Sequence, residues 1–218
     1  MIARLRLFVA IAAVAALAGC KSKGDIVVEE GIGITALRTV CPAVGVPDYT
    51  GDITLFSRPG ARTADAIDLT ANITNLRMHC DEAAGGSDIY ATVDFDVFAR
   101  RTDVGTSRAV TLPYFSTVVR GGSAVLAKRV GTVTLNFAPG QERAQARGSA
   151  GAVVNRAEAT LPADIRDKIT RKRKSGDYDA AIDPLTLPEV KAAIARASFE
   201  LLVGFQLDDK QLAYNATR

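Results

Sequence analysis

Asp94 and Asp96 stand two apart in the run Ile89-Tyr90-Ala91-Thr92-Val93-Asp94-Phe95-Asp96-Val97, whose alternation puts both carboxylates on one face of a strand. Two acids so placed can serve glycoside cleavage or help hold calcium, but each chemistry needs further partners. Without them, alternating Asp on a half-exposed strand reads as solvated surface. His79 is the sole histidine, and Cys80 follows it directly. Any Ser-His-Asp relay would have to be built around that one imidazole, which otherwise reads as a loop or strand-end residue. Arg171-Lys172-Arg173-Lys174, preceded by Arg166 and Lys168, is the most distinctive charged feature. Adjacent cations attract phosphate headgroups, at about 1 kcal/mol each near an anionic surface. They also suit the end of a helix, where the macrodipole favours positive charge. Gly31-Ile32-Gly33 lacks the third glycine and the preceding strand of a phosphate loop. No Walker-type sequence, paired-cysteine metal motif or Gly-x-Ser-x-Gly elbow is present.

The elements that would carry these residues are mostly strands. Ile67, Leu69, Ala71 and Ile73 alternate with Asp68, Thr70, Asn72 and Thr74; Ile89 to Ala99, Thr132 to Phe137 and Ser198 to Leu207 show the same period. Each run offers one apolar face to a core and a more polar face to water, as in antiparallel sheets. Weaker strands are expected at 37–40, 52–56, 108–119 with Pro113 at a bulge or edge, and 150–160, and 211–214 is expected to add a short edge. Gly60, Gly85-Gly86, Gly121-Gly122 and Pro139-Gly140 break the runs. The expected fold is mainly β: an antiparallel sandwich, immunoglobulin-like or a partly open barrel, with a helical hairpin inserted near the C-terminus. The hairpin spans 163–197. Its first helix opens after Pro162 and stops before Gly176, and its second is expected to start on a capping box, Thr186-Leu187-Pro188-Glu189. A narrow apolar stripe of Leu187, Val190, Ile194 and Ala197 would lie on the sheet.

The chain begins with Arg4 and Arg6, the apolar stretch Leu7 to Ala16, and then Leu17-Ala18-Gly19-Cys20. That is the layout of a secretory signal, too short to span a bilayer. Its ending resembles the lipobox of bacterial lipoprotein precursors at all four positions. The resemblance implies cleavage before Cys20, a diacylglyceryl group on its sulfur and acylation of its new amino terminus. That covalent lipid is the only cofactor-like group expected. It further implies that Lys21, in place of an Asp after the acylated cysteine, favours the outer membrane facing the periplasm. Residues 1–19 then form the signal peptide, 20–34 a lipidated tether and 35–218 a single β-rich domain. The tether would stretch to at most about 45 Å, which keeps the domain near its membrane.

Removal of the leader leaves about 199 residues, enough to bury a sizeable core, and lowers the formal charge from +3 to about +1. Nothing in that balance demands nucleic acid. Of the three cysteines, Cys41 and Cys80 remain after the lipobox takes one. In an exported chain a disulfide is the default for them; a metal site would need more ligands than His79 can supply. Three functions follow as expectations. The foremost is a non-catalytic, membrane-anchored envelope protein that contacts another envelope protein or an anionic envelope polymer, the latter through Arg166, Lys168 and Arg171 to Lys174. The second is a carrier enclosing an apolar groove between its sheets, and the third an envelope hydrolase.

Overall fold

The period-two runs become strands, most of them longer than their alternation suggests. The computed structural model describes residues 39–83, 85–171, 176–179 and 181–217. The leader, Cys20, the tether, and Lys172, Arg173 and Lys174 lie outside the described residues. The strands are β1 (Ala43–Gly45), β2 (Asp52–Phe56), β3 (Ile67–Cys80), β4 (Asp88–Arg101), β5 (Arg108–Arg120), β6 (Ala124–Phe137), β7 (Arg143–Asn155) and β8 (Phe199–Phe205). They form two four-stranded sheets, ordered β1-β8-β5-β6 and β2-β3-β4-β7. All pairings are antiparallel except β1 with β8. This is the mainly β sandwich or partly open barrel expected, with one sheet curled into a half-barrel.

The inward residues of each run meet between the sheets. Leu69, Val93, Phe95, Val97, Leu135, Leu201, Val203 and Phe205 are all fully buried, and each contributes roughly 1.5–3 kcal/mol through burial. Two glycines make room for aromatic rings. A Cβ on Gly148 would lie 2.2 Å from the Phe95 ring, and one on Gly131 would lie 2.6 Å from that of Tyr114. Phe95 and Tyr114 pack edge to face at 5.0 Å, and the Tyr114 hydroxyl donates to the Ser149 carbonyl at 2.8 Å, joining the two sheets. The disulfide Cys41–Cys80 ties the segment before β1 to the end of β3.

Among the described residues the chain changes sheet four times, from β1 to β2, β4 to β5, β6 to β7 and β7 to β8. Arg101, only 1% exposed, pins two of these crossings, β4 to β5 and β6 to β7. Its guanidinium donates to the carbonyls of Val104 and Thr106 in the first crossing and of Ala138 and Gln141 in the second. The Gly140 amide donates to Val104 and joins the two crossings directly. Pro113 sits where β5 runs past the end of β8: the first β5–β8 pair is Tyr114 with Phe205, and the Pro113 carbonyl accepts from Gln206. β5 is a central strand and has no bulge at Pro113, so the expected bulge or edge position is corrected: the missing N–H is accommodated because it falls where the ladder to β8 ends.

Several local expectations are corrected. Thr39 and Val40 are not in a strand, and β7 stops at Asn155, whose side chain caps a short helix, α1 (Arg156–Ala159). The hairpin helices are α2 (Ala163–Thr170) and α3 (Pro188–Ala197), packed on each other through Ile165, Ile169, Val190 and Ala193. The capping box at Thr186 does not form. Thr186 ends a single 3-10 turn begun by Asp183, its hydroxyl donates to the Asp183 carbonyl, and Leu187 occupies the cap. The expected edge strand at 211–214 is instead part of a helix, α4 (Asp209–Thr217). Here a reciprocal cap does form: the Gln211 amide donates to the Asp208 carboxylate, and the Asp208 amide to the Gln211 side chain.

Candidate functional site

The outer face of β3, β4 and β7 collects the residues whose chemistry the sequence singled out. A bulge between Thr74 and Arg77, with Asn75 at φ 52°, inserts one residue into β3. Asn tolerates that left-handed conformation better than most side chains. The insertion reverses the parity of the strand, so Arg77 and His79 join Thr70 and Asn72 on the outer face. Asp96 receives Arg77 at 3.1 and 3.2 Å, Asn75 at 3.1 Å and Arg147 at 3.4 Å. It is 5% exposed, so the expectation of a solvated pair of acids does not hold for its setting. Hydrogen bonds from Arg77, then Asn75 and Arg147, hold its carboxyl down at about 2. An acid so committed to two guanidiniums does not serve as a proton donor near neutrality.

His79 approaches the other acid, with Nε2 3.5 Å from Asp94 Oδ2. On the far side of Asp94, across the β4–β7 ladder, lies Ser149. These are the residue types of a hydrolytic triad, but the order is inverted, with the acid on the middle strand. Strands are spaced about 4.8 Å apart, so His79 on β3 and Ser149 on β7 stand roughly 10 Å apart, well beyond the reach of a base activating a hydroxyl.

The basic run is placed only in part. Arg166 is exposed on α2; Lys168 lies 3.6 Å from Glu189 of α3, and Arg171 pairs with Asp179. These two cations also line a cavity of about 350 Å³ shared with Asp164 and Asp167, so the described part of the cluster is of mixed sign. Among the described residues, no group of three His, Cys, Asp or Glu is arranged to hold a metal ion.

A third feature was not legible in the sequence. β6 and β7 leave the turn 138–142 together but belong to different sheets. At their far ends they border a groove of about 210 Å³, lined by Ser116, Val118, Leu126, Arg129, Ala152 and Val153. Of its lining residues Leu126 and Val153 are 52 and 53% exposed, and Val125 and Val130, on the same stretch of β6, are 64 and 60% exposed. The available signals were the non-alternating run Ala124-Val125-Leu126-Ala127 and the absence of any acid from Val104 to Gln141.

Comparison with known proteins adds no relative: no family model, no curated protein and no solved structure matches the chain.

Proposed function

We propose that this chain is a lipid-anchored bacterial envelope protein whose β-domain binds another protein and performs no catalysis. The anchor is the acylated Cys20 of the Leu17-Ala18-Gly19-Cys20 segment, and Lys21 directs it to the outer membrane facing the periplasm. The observation that carries the binding role is the group of exposed apolar residues at the open end of β6 and β7: Leu126 and Val153 lining the seam groove, and Val125 and Val130 on the same stretch of β6. Exposed apolar residues gathered at one end of a domain support a contact site there.

The other readings have less support. A carrier would need an apolar channel between the sheets, where Phe95, Phe137, Phe199 and Phe205 fill the space. The seam groove, at about 210 Å³, falls below the roughly 300 Å³ at which small-molecule pockets begin, and the larger cavities, about 500 Å³ lined by β2, β3, β4 and β7 of one sheet and about 350 Å³ at the helical hairpin, are not lined by both sheets. A hydrolase built on His79, Asp94 and Ser149 would need the histidine between its partners.

The test is photocrosslinking in intact cells from positions 126 and 153, with exposed Asn72 as the control. Recovery of one consistent envelope protein from the seam and not from position 72 supports the proposal. Recovery of no protein, or of this chain alone, contradicts it.

A further inference from the structure

We infer that the free edge of β6, over Ala124–Gly131, is completed by an extended segment of a partner protein in which apolar residues alternate with Asp or Glu. This rests on the protein-binding reading and adds the mode of contact and the chemistry of the partner.

The terminal strands of the two sheets are treated unequally. β1 has three residues and β2 five. α4 packs against β2: Asn215 donates to the carbonyls of Tyr49 and Asp52, and Tyr214 meets the Phe56 ring at 5.2 Å. β7, thirteen residues long and also terminal, lies against β6, and the Tyr114 hydroxyl donates to its Ser149 carbonyl. β6 has fourteen residues and is terminal in its sheet, and among the described residues no strand pairs with its outer edge. Ala124 to Val130 are exposed at every position, so both faces of this segment are open. Exposed edges are ordinarily shortened, bulged away, covered or studded with charge because they template further pairing. β6 carries one bulge, at Leu126 opposite Val118 and Val119, and two cations, yet it keeps eight residues without an outer partner strand among the described residues, with Val125, Leu126 and Val130 exposed, and an apolar edge left open in this way is a docking element for strand addition.

Charge selects the occupant. β5, β6 and β7 carry Arg108, Arg120, Lys128, Arg129, Arg143 and Arg147 and no Asp or Glu. Arg108, Arg120 and Arg147 are paired with Asp68, Glu158 and Asp96. Lys128 and Arg129 lie on the open edge itself, Lys128 over the Phe115 ring at 4.9 Å and Arg129 lining the groove. Being adjacent in a strand, they project to opposite faces. An added strand therefore meets one cation on each face, and acidic side chains suit both while the apolar ones cover Val125, Leu126 and Val130. A second copy of this chain fits badly, since pairing two β6 edges brings like charges together. A polyanion without a peptide backbone satisfies the cations but neither the edge nor the apolar row.

The experiment measures amide hydrogen exchange on the full-length chain in detergent micelles, with and without a synthetic peptide of alternating valine and glutamate. The peptide should slow exchange across Ala124–Gly131 and leave β2 unchanged. Lys128→Glu with Arg129→Glu should weaken binding by at least about tenfold, and a valine–lysine peptide should bind that variant in its place. Three results overturn the inference: binding without protection of β6, equal protection by phosphatidylglycerol vesicles, or protection that appears with rising protein concentration alone. If crosslinking from Leu126 recovers a partner while the peptide leaves β6 unprotected, protein binding stands and strand addition fails. If the peptide protects β6 while crosslinking recovers nothing, the edge chemistry stands and the functional proposal fails.

Discussion

Arg101 holds its guanidinium 5.0 Å from the centre of the Phe137 ring, on the last residue of β4 and against the last residue of β6. That contact places one buried cation between two of the points where the chain changes sheets. Arg101→Met would leave carbonyls from both crossings without their donor, at about 1–3 kcal/mol for each group left buried. The expected loss in unfolding free energy is about 3–5 kcal/mol, read by urea denaturation. Arg101→Lys should recover only part of it, because one ammonium cannot span four carbonyls in a fixed fork. A loss below about 1 kcal/mol for Arg101→Met would show that the crossings hold without the pin.

Asp96 sets an acid limit on stability. Its folded pKa of about 2 lies below the unfolded value of about 3.9, so folding favours the ionised form. The stability it adds is present above about pH 4 and disappears as the pH falls toward 2. Asp68, also lowered, by its hydrogen bonds from Arg108, contributes in the same direction. Asp96→Asn should be less stable at neutral pH and show a shallower fall in acid, with Asp68 supplying the remainder. Unfolding curves at a series of pH values measure this, and parallel curves for the two proteins would contradict it.

These residues show where the sequence was readable and where it was not. The inward alternation of Ile67 to Ile73 and of Ile89 to Ala99 reported the core directly, because one apolar face of each strand is sealed by the other sheet. The pattern failed at Asn75, where one inserted residue reverses parity and hides the continuation of β3 to Cys80. It failed again in the outer half of β6, whose residues are exposed on both faces and so have no reason to alternate. Arg101 resembled any strand-end cation, since its partners are backbone carbonyls that leave no mark in composition. The two capping signals differed by tertiary context: Asp208 and Gln211 met each other, while Asp183 opened its own turn and displaced Thr186. Asp94 and His79 were legible as residues, but only the strand order placed Asp94 between His79 and Ser149.

The disulfide closes a separation of 39 residues. In the chain-entropy model such a crosslink adds about 4 kcal/mol by restricting the unfolded chain. Cys41→Ser with Cys80→Ser should lower the unfolding free energy by about 3–4 kcal/mol in urea while keeping the native circular dichroism. A change below about 1 kcal/mol would assign the bridge no stabilising role.

Gly148 provides the space that the Phe95 ring occupies. Gly148→Ala should push that ring off its contact with Tyr114 and cost about 1–3 kcal/mol, as overpacking does. Thermal unfolding with near-ultraviolet circular dichroism of Tyr114 would read both effects. An unchanged midpoint would mean that the ring has room to move aside.

The proposed function depends most on the proposed acylation of Cys20. Mass spectrometry of the amino-terminal peptide, from protein purified out of native membranes, measures it directly. The predicted result is a chain beginning at Cys20 with acyl chains on its sulfur and its amino group. A mature terminus at any other residue, or a bare Cys20, would contradict it.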